Sequence, residues 1–549
     1  MTSLAWLLFF PLVFGLGGMA DEHEHPGELN AEQLGTVHFP VACESSVQKP
    51  FGRAVALLHS FWYEEAEKQF QQIAEDDPLC AMAHWGIAMS LWHQLWERPN
   101  ATVLSRGLAE SQKAAAINSN QQQISSSSRQ PQYSKDALSR ESVYIAAISR
   151  FYSDSQKLNH GTRAKAYSDE MKKLYESYPD DHEAAAFYAL SLLATGESLP
   201  NRKEAAAILE KLFATDPDHP GVAHYLIHSY DTPSLAELGI PPARRYAQIA
   251  PAAPHALHMP SHIFARVGLW QDDINSNLAS IAATRKSVAM GMGGEGQQFH
   301  AMDFLVYAYL QSGREAEAMK EIDEIKAMPP SENMYGMDFD PRLFAQAGFE
   351  ASYALELHQW RSAASLNQVP GADPGINATT FLARALGAAR AGQLVDAQKD
   401  IDELKSIVKN LLDKKNKGEA DFIDEQTAEP LAWIDHAKGK DEEAIDLLRP
   451  LAEKETEGIS QTGSLPTHEV LADLLLEANR PQQALVEYQT DLKLNPNRFN
   501  GLAGAALSAE RAGNHRQAVK YYALLLDVCE GSHSDRPELA RAKEFVAQK

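Results

Sequence analysis

The sequence predicts an all-α fold, a superhelical solenoid of antiparallel helix pairs. Three observations predict it. Small and apolar residues recur with one internal spacing at several places along the chain. Period-two alternation, the mark of a half-buried strand, is nowhere sustained. The chain of 549 residues also exceeds what one compact core holds, a limit that a solenoid escapes because each unit packs only on its neighbours. Hydrophobic residues at 44% and charged residues at 23% supply enough apolar material for a continuous core.

The recurrence is clearest near the C-terminus. Ala472, Ala484 and Tyr488 return 34 residues later as Ala506, Ala518 and Tyr522, while Pro496 has no counterpart. Ala54, Leu57, Ala66, Phe70 and Pro78 show the same internal spacing, as do Tyr309, Gly313, Ala318 and Pro330. Weaker units pair Gly392 with Ala397, Gly439 with Ala444, Gly268 with Trp270 and Ala205 with Pro217. Small residues let two helices approach, the aromatic fills the space beside them, and the proline ends the second helix. The pattern covers most of residues 51–526.

This spacing resembles the tetratricopeptide consensus, whose period is about 34 residues. The resemblance implies a right-handed superhelix of helix pairs. Two longer blocks, FGRAVALLHSFWYEEAEKQF…CAMAHWGIAMSLWHQLW and HYLIHSYD…PHALHMPSHIFARVGLW, together resemble a group of uncharacterised exported bacterial tetratricopeptide proteins. That resemblance implies fold and export and brings no activity with it.

The ends and interruptions set the expected domain plan. Residues 1–20 carry no charged side chain, and Leu4 to Leu16 is an almost unbroken apolar run. It is short for a membrane span and suits a signal-peptide core, with Gly18-Met19-Ala20 as a cleavage site. Export to the periplasm or the extracellular space is therefore expected, with no membrane insertion after cleavage. Residues 21–46 form an extended N-terminal segment, 47–330 a first solenoid, and 331–549 a second. Ser119 to Lys135, SNQQQISSSSRQPQYSK, is expected to be a polar loop. Gly291 to Gly296 reads as a turn and not a phosphate loop, since no Gly-Lys-Ser/Thr follows.

Charge and cysteine content narrow the function. A net charge of −24 argues against a nucleic-acid partner, which requires clustered Lys and Arg. It favours a basic peptide, a protein partner or a metal ion. For the cysteines two readings stand. Cys43 and Cys80 flank the first helix pair and can close one disulfide, leaving Cys529 over; or all three are buried thiols.

The chain has 20 histidines, and their placement carries more than their number. Units counted from Pro220, Pro254 and Phe299 put His224, His228 and Asp231, then His255, His258 and His262, then His300 and Asp303, at the second, fifth, ninth and twelfth places of three first helices. The tetratricopeptide resemblance implies that these places line the concave groove. Steps of three and four residues do share one helix face. Imidazole and carboxylate suit a divalent metal, zinc or copper. The pairs His224/His228 and His258/His262 have the spacing of helical two-histidine sites, without the glutamate of the zinc-protease motif. Pro260 inside the second of these helices leaves open that His255 and His258 lie on a loop.

Three functional readings follow. The first is an exported scaffold binding a peptide or partner protein in the groove, with or without a metal ion. The second is a metal- or cofactor-handling protein using the His/Asp stripe. The third is a metal-dependent enzyme, against which stands the absence of a nucleophile elbow, a phosphate loop and a His-Glu-x-x-His helix. Plain structural histidines are the alternative to all three. Cleavage after Ala20 would also expose Asp21-Glu22-His23, whose amine, amides and His23 imidazole suit square-planar Cu(II). By register Trp85 and Trp92 face the groove, where they would stack on a ligand; the alternative is that they close the end of the core.

Overall fold

The computed structural model describes residues 33–95, 98–128, 132–196, 198–330, 340–459 and 462–548. The proposed signal peptide, His23 and the expected boundary at 330/331 fall at or beyond the edges of those segments. Among the described residues every regular element is a helix, and consecutive helices pack as antiparallel pairs. The fold is a tetratricopeptide-type helical solenoid.

The pairing follows from a three-residue turn. Helix Glu295–Gln311 is followed by Ser312-Gly313-Arg314 and then by helix Glu315–Ala327. Gly313 sits at φ 69°, and Gly268, Gly392, Gly439 and Gly513 occupy the same turn position at φ 70° to 77°. Asn479 and His358 replace glycine there in two units, and Phe61 does so in the first, at φ 52°. A left-handed residue at this point reverses the chain in the fewest residues.

Small-to-aromatic packing then joins one unit to the next. A Cβ on Gly86 would lie 2.3 Å from the Phe70 ring, and one on Gly504 2.1 Å from the Tyr488 ring. In both cases the aromatic belongs to the second helix of one unit and the glycine to the first helix of the next.

Two expectations are corrected. The polar stretch from Ser119 is not a loop: helix Ala101–Ser127 runs through most of it, and the next helix begins at Lys135. Its amides are used, since Gln121 Nε2 donates to the Leu79 carbonyl at 2.9 Å and Asn118 Nδ2 to that of Leu138 at 3.1 Å. Part of the polar composition there thus serves buried hydrogen bonding. Trp85 and Trp92 are 1% and 0% exposed and do not face a groove. Trp92 stacks on Phe151 at 3.6 Å, and Trp85 meets Phe39, Tyr144 and Phe187 edge-on. One apolar cluster runs from Ala265 and Trp270 to Ala345 and Phe349.

Cys43 and Cys80 are bonded, and Cys529 is a buried free thiol. The disulfide ties the segment before helix Gln48–His59 to the start of helix Ala81–Ser90. The coil also folds back on itself. Trp270 Nε1 donates to the Asn497 carbonyl at 2.9 Å, Tyr307 OH to that of Ile459 at 2.9 Å, and Arg266 to that of Gly458. The second half of the chain thereby covers the helices that carry the histidines.

Candidate metal centre

Three first helices position the site. His224 and His228 stand one turn apart on helix Pro220–Tyr230, and Asp231 caps its end. His255 and His258 lie on helix Pro254–His258, and His262 on helix Pro260–Val267. Met259 between them keeps helical angles, φ −51° and ψ −34°, so Pro260 opens a second helical segment without making a loop. Proline is tolerated at a first helical position because its missing N–H has no partner to lose there. His300 lies on helix Glu295–Gln311.

The six imidazoles assemble into two groups of three. His224, His228 and His255 form one, and His258, His262 and His300 the other, with the chosen ligand nitrogens of each group mutually within 4.8 Å. In the first, His224 Nε2 lies 3.1 Å from both His228 Nε2 and His255 Nε2. In the second, His258 Nε2 lies 3.1 Å from His262 Nε2. The groups adjoin, with 6.1 Å between the His228 and His262 ring centroids and 6.0 Å between those of His255 and His258.

The backs of four of the rings fix where their protons sit. His262 Nδ1 donates to Asp231 Oδ2 at 2.8 Å. His258 Nδ1 donates to Asn277 Oδ1 at 2.7 Å. The Asn277 amide cannot be the other way round, because its Nδ2 donates to the Asp273 carbonyl at 3.0 Å and to the Asp273 carboxylate at 2.7 Å. His224 Nδ1 donates to the His59 carbonyl at 2.6 Å, using an acceptor left over at the end of helix Gln48–His59. His255 Nδ1 faces Gln297 Oε1 at 3.0 Å. For a neutral imidazole with its proton on Nδ1, Nε2 presents a lone pair. His258 and His262 thus aim two lone pairs at each other across 3.1 Å.

A cation between or beside the nitrogens relieves that contact. At His258 a second proton is opposed. Burial, and then the neighbouring imidazoles, hold His224, His228, His255 and His258 well below the ordinary histidine value. The same causes bring His300 down to about 3. A metal ion does serve: two nitrogens each about 2.0–2.1 Å from one ion lie roughly 2.9–3.4 Å apart at angles between perpendicular and tetrahedral.

The two expected aspartates are not ligands. Asp231 stands behind His262 and also accepts from Arg266 Nε at 2.8 Å. Burial opposes its charge, but Arg266 and His262 outweigh burial and hold the carboxyl far below the usual range. Asp303 points to Thr462 and accepts from its backbone N–H at 3.1 Å and from its hydroxyl. Burial pushes the Asp303 carboxyl up to about 6. The expected open groove is corrected as well: His224 and His258 are 0% exposed, His255 2%, His228 8% and His262 9%.

The sequence reading missed the residues that close the site. Phe61 packs over the first group, stacked on His228 at 5.8 Å and on His255 at 5.5 Å, and edge-on to His224 at 4.4 Å. Phe304 packs on the second, 5.0 Å from His258 and 4.6 Å from His262. A bulky residue at a turn position that is glycine elsewhere was the available signal for Phe61. Nothing local in the sequence marks Asn277, Gln297 or the buried trio His59, Glu183 and His219.

That trio is a useful contrast. His59 Nε2 and His219 Nε2 approach the two Glu183 oxygens at 2.7 and 2.9 Å. His219 Nδ1 accepts from the Val222 N–H at 3.2 Å, and His59 Nδ1 meets Tyr225 OH at 2.9 Å. Every one of these ring nitrogens has a complementary partner, so the trio needs no ion. It props the His59 carbonyl that orients His224.

The site and fold together define a helical repeat protein with a histidine-rich interior. No family model and no curated protein matches the chain. Among solved structures it is similar to human IFIT1 dimers, one with PPP-AAAA and one with m7Gppp-AAAA. Both share 12% identity over 86% of this chain and 95% of theirs, with TM-scores of 0.36 and 0.34. It is also similar to the P58(IPK) TPR domain, at 14% identity over 67% of this chain and 99% of that one, with a TM-score of 0.21. Likenesses this loose carry no argument about the site. No described helix is long and apolar enough to cross a membrane.

Proposed function

We propose that the chain is an exported metal-binding repeat protein whose two histidine triads each hold one late first-row metal ion, copper or zinc. One observation carries the reading: the His258 and His262 Nε2 atoms are 3.1 Å apart while both Nδ1 atoms are committed to oxygen acceptors. Imidazole is a favoured ligand of both metals, and three histidines with an open position is a known way to bind them. Donation from Nδ1 to carboxylate, amide or carbonyl is the usual support of a metal-binding histidine. The Cys43–Cys80 disulfide supports an oxidising compartment, periplasmic or extracellular.

Elemental analysis of protein prepared without a histidine tag tests it. The expected content is one ion per triad. His224→Ala combined with His262→Ala, one ligand from each triad, should lower metal content with the helical circular dichroism retained. Metal content that does not change in this variant removes the assignment.

A second reading, an interaction scaffold for a peptide or partner protein, is supported by a cleft of about 220 Å³ in the C-terminal repeats. Arg390, Asp473, Arg511 and Arg541 line it with Tyr488 and Leu507. A photo-reactive residue at Leu507 should then yield one discrete adduct in cells; a ladder of weak adducts, or none, rejects this reading.

A further inference from the structure

We infer that the two triads work as one dinuclear copper centre that binds dioxygen between its ions. This deepens the metal-binding reading above and rests on it.

The donor set selects the metal. Each triad offers three imidazoles, and among the described residues neither group contains a carboxylate or thiolate. The nearest aspartate is spent on His262 and Arg266, and Asp303 on Thr462. The centre is thus enclosed, capped by Phe61 and Phe304, and without an anion of its own. The cost of burying an ion rises steeply with its charge. Two dipositive ions side by side in such a place are strongly disfavoured, whereas two Cu(I) ions carry the smallest charge that imidazole-binding metals offer. Zinc has no monovalent form to use. In the divalent state copper also binds a nitrogen site most tightly of its row.

The same charge argument selects the ligand. When dioxygen binds, each Cu(I) gives up one electron and becomes Cu(II). The O–O bond is reduced from double to single, and the product is peroxide bridging the two ions. No proton moves. The charge of the centre is unchanged, because the two charges gained by copper are balanced by the two on peroxide. The buried pocket can therefore host the reaction with no change in its net charge. The burial of the rings, His224 and His258 wholly so, fits a diatomic.

The adjoining rings supply the coupling. His258 lies 4.4 Å from His300 within its own triad and 6.0 Å from His255 of the other, centroid to centroid. Ions held by the two triads are neighbours, as in sites where two metals about 3.5–4 Å apart share one small ligand.

The test loads metal-free full-length protein with Cu(I) without oxygen and measures copper per chain, then admits dioxygen. The inference expects two copper ions, uptake of one dioxygen for the pair, a new charge-transfer absorption, and little paramagnetic Cu(II) signal because bridged ions couple. His300→Ala, at the half-buried end of the second triad, should keep its helical signal and at least one copper, lose dioxygen uptake, and show an isolated Cu(II) signal on oxidation. Binding of no copper overturns the metal-binding reading itself. Two copper ions with no dioxygen uptake, or with a Cu(II) signal that accounts for all the copper, overturn this inference alone. One copper in the unsubstituted protein also overturns it.

Discussion

Behind His224, His255, His258 and His262 stands an oxygen that holds the ring, and Asp231 is the most telling of these. Its carboxylate accepts from His262 Nδ1 and from Arg266, so it fixes the ring and raises the basicity of the opposite nitrogen. Asp231→Asn keeps the shape but removes the charge. Metal affinity should fall by about 10–100-fold, as for other such supporting groups, with an unchanged helical signal. Competition with a chelator of known affinity measures it, and an unaltered affinity would show the aspartate to be mere packing. Phe61 is the second residue of interest. Its backbone at φ 52° costs roughly 1–2 kcal/mol in the left-handed region, yet its ring is 1% exposed. Phe61→Gly relieves that strain but empties a site worth about 3–5 kcal/mol. The variant should be less stable by about 1–4 kcal/mol in urea unfolding. A more stable variant would mean the ring does little for packing.

Helices and their pairings were the most legible part of the sequence, because helical packing writes itself as a period. Ala472, Ala484 and Tyr488 repeat at a fixed interval since each contact between units repeats. The histidine pattern was legible for the same reason: one helix face carries steps of three and four. What the sequence did not reveal is depth. The register says which way a side chain leaves its helix, not whether distant chain lies over it, and here Gly458 and Ile459 close over the site from the second half. That is why an expected groove became an interior, whereas Trp85 and Trp92 are packed by the aromatics of neighbouring helices. Helix Ala101–Ser127 was misread because its buried amides look like loop composition. The unit-to-unit contact gives a prediction at this scale. Gly86→Ala and Gly504→Ala each drive a methyl into the ring of the preceding unit, Phe70 or Tyr488. Both should destabilise by about 1–3 kcal/mol through overpacking. The glycines play the same part in distant repeats, so the two losses should be similar and additive. A double variant markedly different from the sum would mean that the two ends of the coil communicate.

Across the whole molecule, buried acids set how stability responds to pH, and they do so in two opposed senses. Asp231 and Glu183 have carboxyls held below the ordinary range by Arg266 and histidine partners, against the effect of burial. Their contribution is present above the unfolded carboxylate value and is lost as pH falls. Glu141 and Glu429 behave in the other sense. Burial raises Glu141 from 4.5 to about 7, and burial followed by Glu455 raises Glu429 from 4.5 to about 8. Between those limits the folded chain retains protons that the unfolded chain has released. The unfolded state then binds fewer protons, so the unfolding free energy must decline as pH rises. Each group contributes a slope approaching ~1.4 kcal/mol per pH unit until its folded value is passed. Stability should therefore decline from mildly acidic to mildly alkaline pH and level off above about 8. Glu429→Gln removes one such ionisation and keeps the side chain's volume. Relative to the unsubstituted protein, the variant should gain stability as pH climbs from 4.5 to about 8, and the difference should then stay constant. Chemical unfolding across that range reads both curves. Parallel curves would show that Glu429 is already ionised in the folded state, and that the alkaline decline has its origin elsewhere in the coil.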